Sequence, residues 1–165
     1  MSIAAQLIAE FDREVATTKR VLERVPEEHF AWQPHPTSFS LGVLALHVAT
    51  VPGAIARMAD VDVFEVPGFV PPEPPSRAAI LAALEDSADA FRRIVGAFSD
   101  AQLNSTWAMV REGKDVMRMP RHTLLRFVAM NHVYHHRGQL AMCLRMLGVP
   151  VPSIYGPSRD ENPFI

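Results

Sequence analysis

The sequence predicts an all-α fold, an antiparallel four-helix bundle with a long crossing loop, as one domain over residues 1–165. Four stretches carry apolar residues at spacings of three and four, the period of a helix with one buried face. Proline-rich connections separate them, and the longest reads as the crossing loop. No central sheet is evident, so the helices have one another to pack against.

The first helix is expected from Ile3 to Val25, with Leu7, Phe11, Val15 and Leu22 on its apolar side and Glu10, Arg13, Glu14 and Lys19 between. Pro26, Pro34 and Pro36 bracket a connection that cannot continue it, and Phe30 and Trp32 there should pack back onto the bundle. Ser38 or Ser40 can cap a second helix, whose face includes Leu44, His47, Val48, Val51 and Ile55. Pro52 removes one of its hydrogen bonds and predicts a kink about one turn beyond His47.

The segment from Val61 to Pro75 holds Pro67, Pro71, Pro72, Pro74 and Pro75 and reads as a semi-rigid crossing loop. Ser76 then caps a third helix running to about Phe98, with Ile80, Leu84, Phe91 and Val95 buried. Between Thr106 and Met119 a Glu-Gly-Lys turn separates two short runs, a hairpin pattern that reads more simply as a decorated loop. Pro120 suits the first position of a fourth helix, in which Leu125, Val128, His132, His136, Leu140, Leu144 and Leu147 recur at helical spacing until Gly148. The remaining VPVPSIYGPSRDENPFI should lie extended over the surface.

Composition removes several function classes. Sixteen basic against eighteen acidic residues give a net charge of −2, without the positive run that binding a phosphate backbone requires, so no nucleic-acid partner is expected. No uninterrupted apolar stretch of about 18 residues and no signal-peptide pattern are visible, so no membrane partner is expected either. The single cysteine, Cys143, excludes an intramolecular disulfide framework and suits a reducing, cytoplasmic setting. In a helix it reads as a small core residue rather than a nucleophile.

The histidines carry the chemistry. His132 and His136 lie four residues apart, on one helical face about 6 Å apart along the axis, and His47 lies in line with Leu44, Val51 and Ile55. A histidine on an apolar face is most often a hydrogen-bonded core residue, but buried imidazoles one turn apart each need a partner when neutral and repel when protonated. A divalent metal resolves both. Three neutral imidazoles would leave coordination positions for water or substrate. His135, three residues from His132, is an alternative to His136; the apolar line through Leu125, Val128 and Leu140 favours His136. His29, His35 and His122 read as surface residues.

The segments LGVLALH, NHVYHHRGQL and LRMLGVPVPSIYGPSRDE resemble those of the DinB-like (YfiT-type) metal-dependent hydrolase superfamily, and the similarity spans nearly the whole chain. The resemblance implies a bundle with one metal ligand on the second helix and an HxxxH pair on the fourth, matching His47, His132 and His136 and settling the register against His135. It also implies a choice of activities, since members include transferases and isomerases that use a low-molecular-weight thiol cosubstrate. The expected function is therefore a metal-dependent thiol transferase or hydrolase acting on a small electrophilic substrate. The competing expectation is a non-catalytic metal-binding stress-response bundle. Imidazole ligands suit zinc or nickel. Asn131, Arg137 and Gln139 flank the ligands and are candidates for substrate binding, against the simpler reading of interhelical hydrogen bonding. A homodimer is expected from the resemblance alone.

Overall fold

The computed structural model describes residues 1–66 and 72–165, so Pro67 and Pro71 of the expected crossing loop lie outside the described residues. The elements are α1 (Ile3–Leu22), a 3-10 turn (Glu27–His29), α2 (Leu41–Ala59), β1 (Val63–Glu65), α3 (Arg77–Ala97), α4 (Asp100–Asn104), β2 (Thr106–Arg111), β3 (Lys114–Pro120), α5 (Arg121–Thr123), a π-helical segment (Leu124–Met130) and α6 (Asn131–Met146).

The four expected helices form where the caps and apolar periods place them. Ser2, Ser40 and Ser76 cap α1, α2 and α3, each hydroxyl accepting from the backbone N–H three residues on. Such a cap is worth about 1 kcal/mol. Gly148, at φ 73°, ends α6 as the sequence predicts, and the Val149 N–H donates to the Leu144 carbonyl at 2.9 Å.

One core joins α1, α2, α3 and α6. Phe11 and Phe91 stack with centroids 4.0 Å apart, and Leu22, Leu41, Ile80, Leu84, Leu140 and Leu144 are buried around them. Each such side chain contributes about 1.5–3 kcal/mol on leaving water. Phe30 and Trp32 pack against this core from the α1–α2 connection, as expected. α2 is long and apolar enough to cross a membrane, with 19 residues at mean hydropathy 1.5, although Arg57 interrupts its apolar run. Because 67% of that stretch is buried inside the protein, its apolar surface serves the core.

Pro52 lies inside α2, and the fold turns the resulting break into a contact. Beside it, the Gly53 N–H donates to Ser87 Oγ of α3 at 2.8 Å, and that hydroxyl donates to the Thr50 carbonyl at 3.3 Å. α2 stays helical across Pro52, from Leu41 to Ala59.

The all-α expectation requires correction, because a three-stranded sheet is present in the order β1-β2-β3. Where the sequence suggests a decorated loop, β2 and β3 form an antiparallel hairpin, closed by Glu112 and Gly113 at positive φ and carrying a bulge at Met109/Val110. β1 adds in parallel to β2. Trp107 anchors the sheet: its ring is fully buried and its Nε1–H donates to the Met58 carbonyl of α2 at 2.9 Å. α4 is a further element that the apolar periods do not reveal, although Ser99 and Gln102 spell a capping box, and both of its bonds form.

Two further corrections concern α6 and the tail. The seven residues Leu124–Met130 adopt π geometry; Leu125, Leu140 and Leu144 are buried as expected, but Val128 is only half-buried, and Ala129, Met130, Val133 and Arg137 are buried as well. The last segment has no regular structure, as expected, but it is anchored. Asp160 pairs with Arg145, Glu161 with Arg20, and Val151 and Ser153 are buried.

Candidate metal centre

His47 on α2 meets His132 and His136 on α6, and one ligand nitrogen from each lies within 4.8 Å of the others. The ring centroids stand 5.1 Å (His47–His132), 4.8 Å (His47–His136) and 4.6 Å (His132–His136) apart. All three rings are half-buried. His132 and His136 flank the buried Val133 and Arg137 on the side of α6 that meets His47 of α2.

The ring orientations follow from their outer contacts. His132 Nε2 faces His47 Nε2 at 3.0 Å. His136 Nδ1 lies 2.7 Å from Gln139 Oε1, an acceptor that selects the Nδ1–H tautomer and leaves Nε2 with a free lone pair. Such an outer contact is what metal-binding imidazoles use to fix their rings.

The donor set fits a divalent ion. Imidazole nitrogens at about 2.0–2.1 Å from a common ion stand roughly 2.9–3.4 Å apart for angles between square and tetrahedral, and the 3.0 Å between His47 and His132 falls within that range. Charge points the same way. Burial first, then His136 and His132, hold His47 down to about 4. Burial chiefly lowers His132 and His136 too, with His135 adding to both and the Val128 and Gln139 bonds opposing. The three therefore remain neutral near pH 7, the state that ligates metal.

A stability prediction follows for the metal-free protein. Unfolded, His47 titrates near 6.5; folded, near 4. Between those values the unfolded chain binds a proton that the folded chain does not, so the stability present above about pH 6.5 declines as pH falls toward 4. The half-buried ring is partly screened by solvent, which tempers the effect. Denaturant midpoints measured with a chelator at pH 7 and pH 5 should fall further in the wild type than in His47→Gln; equal falls would contradict this.

Of the three candidates for substrate binding, Gln139 alone hydrogen-bonds a histidine of the cluster. Asn131 is exposed and accepts from Arg126. Arg137 is 1% exposed and faces away from the histidines, donating to the Glu14 carbonyl and carboxylate, Thr18 Oγ1 and Tyr155 OH. Its contacts are those of interhelical bonding, the simpler of its two readings. His135 is exposed beside His136, with ring centroids 5.0 Å apart.

A cavity of about 420 Å³ opens beside His136 and Gln139. No sequence signal announces it, because its walls come from both the Pro34–Phe39 connection and the outer face of α6. Phe39 reaches the cluster, its ring centroid 5.7 Å from that of His47. Burial raises the thiol of Cys143, also on the cavity wall, above its usual range, so it is no ready nucleophile.

Known proteins share this arrangement of elements. The chain is 30% identical over 152 residues to the uncharacterized protein YrdA of Bacillus subtilis, covering 90% of this chain and 85% of that one. Its fold matches a DinB-like protein of Bacillus cereus with a TM-score of 0.72 at 24% identity, covering 90% and 95% of the two chains. A second DinB-like protein, YjoA of Bacillus subtilis, matches with a TM-score of 0.65 at 19% identity over 88% and 96%. The DinB family model matches residues 1–163, and the chain belongs to the DinB family.

Proposed function

We propose that this protein is a metal-dependent enzyme acting on a small electrophilic substrate, as a thiol transferase or a hydrolase, with His47, His132 and His136 holding one zinc or nickel ion. The observation that carries the reading is the convergence of three neutral imidazoles beside an open cavity. An ion held there would supply a Lewis acid that lowers the pKa of a water molecule or of a low-molecular-weight thiol cosubstrate. The protein's own groups prepare the site. Gln139 fixes the tautomer of His136, Phe39 covers the His47 side, and the cavity admits substrate from the His136 side.

The same reading takes residues 1–165 as a single domain, arranges the four long helices as an antiparallel bundle, and places a homodimer in the cytoplasm with neither nucleic acid nor membrane as partner. The solvent-open cavity favours catalysis over the metal-binding stress-response alternative, which requires no such access.

Turnover tests it. Zinc- and nickel-loaded protein is incubated with 1-chloro-2,4-dinitrobenzene plus a small thiol, and separately with p-nitrophenyl acetate. At least one reaction is expected to lose about 100-fold or more in rate in His136→Ala, with helicity unchanged. Equal rates in wild type and variant would contradict the proposal.

A further inference from the structure

The cavity's walls distinguish among substrates. Among the described residues that line it there is no lysine, arginine, aspartate or glutamate. Leu44 forms part of the inner wall and is 5% exposed. Phe39, Met142 and Met146 line it and are exposed large apolar side chains, at 41%, 62% and 58%. Scattered singly, such residues need no explanation, but gathered around one opening they mark a place where apolar surface is covered by something else. Polar groups concentrate at His136 and Gln139 on one side and at Thr37 and Ser38 on the other.

We infer that this cavity binds a neutral, predominantly apolar small molecule that directs one polar group toward His136 and Gln139. The inference deepens the enzyme proposal and rests on it for the chemistry at that polar end. Three arguments support the ligand class. An ionised group seated between Phe39, Leu44 and the methionines, away from the ion that His136 would help hold, would lose hydration with no counter-charge to replace it, so a charge on that part of the ligand is disfavoured. The volume falls within the usual range of roughly 300–1,000 Å³ for small-molecule sites, too small for a folded partner. Thioether side chains are unbranched and polarizable, so Met142 and Met146 can close over apolar ligands of different outline.

Two fluorescent probes of nearly the same aromatic skeleton test the inference: neutral N-phenyl-1-naphthylamine and its anionic relative 1-anilinonaphthalene-8-sulfonate. The neutral probe is expected to bind at about one per chain and at least tenfold more tightly than the sulfonate. Met142→Asp should weaken its binding at least tenfold while circular dichroism and bound zinc, measured on the same samples, stay unchanged. Met146→Asp provides a second exposed position should the first variant fold poorly. Equal or tighter binding of the sulfonate would overturn the inference, as would neutral-probe binding indifferent to both substitutions. Because zinc is read separately, cavity-dependent probe binding without metal would refute the metal centre and sustain the cavity assignment; bound zinc without probe binding would do the reverse.

Discussion

Arg137→Ala is expected to lower the free energy of unfolding by about 3–5 kcal/mol, the loss typical when one member of a buried charge pair is removed. Arg137 is 1% exposed and reaches α1 through Glu14 Oε2 at 2.7 Å, the Glu14 carbonyl at 3.2 Å and Thr18 Oγ1 at 3.0 Å. It also donates to Tyr155 OH at 2.6 Å, and that hydroxyl donates to Glu14 at 2.9 Å. One guanidinium thereby ties α6, α1 and the C-terminal segment together. Alanine would strand the Glu14 carboxylate in a largely dry site. Lysine should rescue poorly, because a single ammonium cannot span the same fork of acceptors. Adding Glu14→Gln to Arg137→Met should recover much of the loss, since an apolar replacement then leaves no stranded charge. Denaturant titration of the three variants decides the matter; an Arg137→Ala midpoint equal to wild type would contradict it.

Gly53→Val should cost about 3 kcal/mol or more, the upper end of overpacking penalties. A Cβ at Gly53 would stand 2.7 Å from Ser87 Cα and 2.8 Å from its carbonyl oxygen, so the obstruction is backbone and cannot rotate away. The substitution must push α2 from α3 and break the Gly53–Ser87 bond on which the Pro52 interruption depends. Gly138 supplies the contrast: nothing lies within 4 Å of its added Cβ, and Gly138→Ala should stabilise by about 0.5–1 kcal/mol through helix propensity alone. Equal effects of the two substitutions in thermal unfolding would contradict the close α2–α3 approach.

The long helices were legible because their information is local: a serine cap, a period of three and four, a terminating Gly148. The pairing of His132 with His136 was legible for the same reason, since a spacing of four places them on one face whatever that face touches. The sheet was not, because β1 meets β2 across some forty residues of sequence and β3 shows little alternation, with most of KDVMRMP exposed. Nor was the π segment. LLRFVAM reads as ordinary helix, and nothing in it marks the wider turn; the apolar line likewise put His132 and His136 at the centre of the buried face, where Val133 and Arg137 lie. The burial of Arg137 carries no local signal at all, because Glu14 and Tyr155 become its partners only after folding.

The most direct test of the metal centre is metal content by mass spectrometry on untagged protein, wild type against His47→Ala, His132→Ala and His136→Ala. About one divalent ion per chain is expected in the wild type, lost in each variant while circular dichroism stays helical. No bound ion after incubation with zinc and nickel, or full occupancy in the histidine variants, would contradict the account.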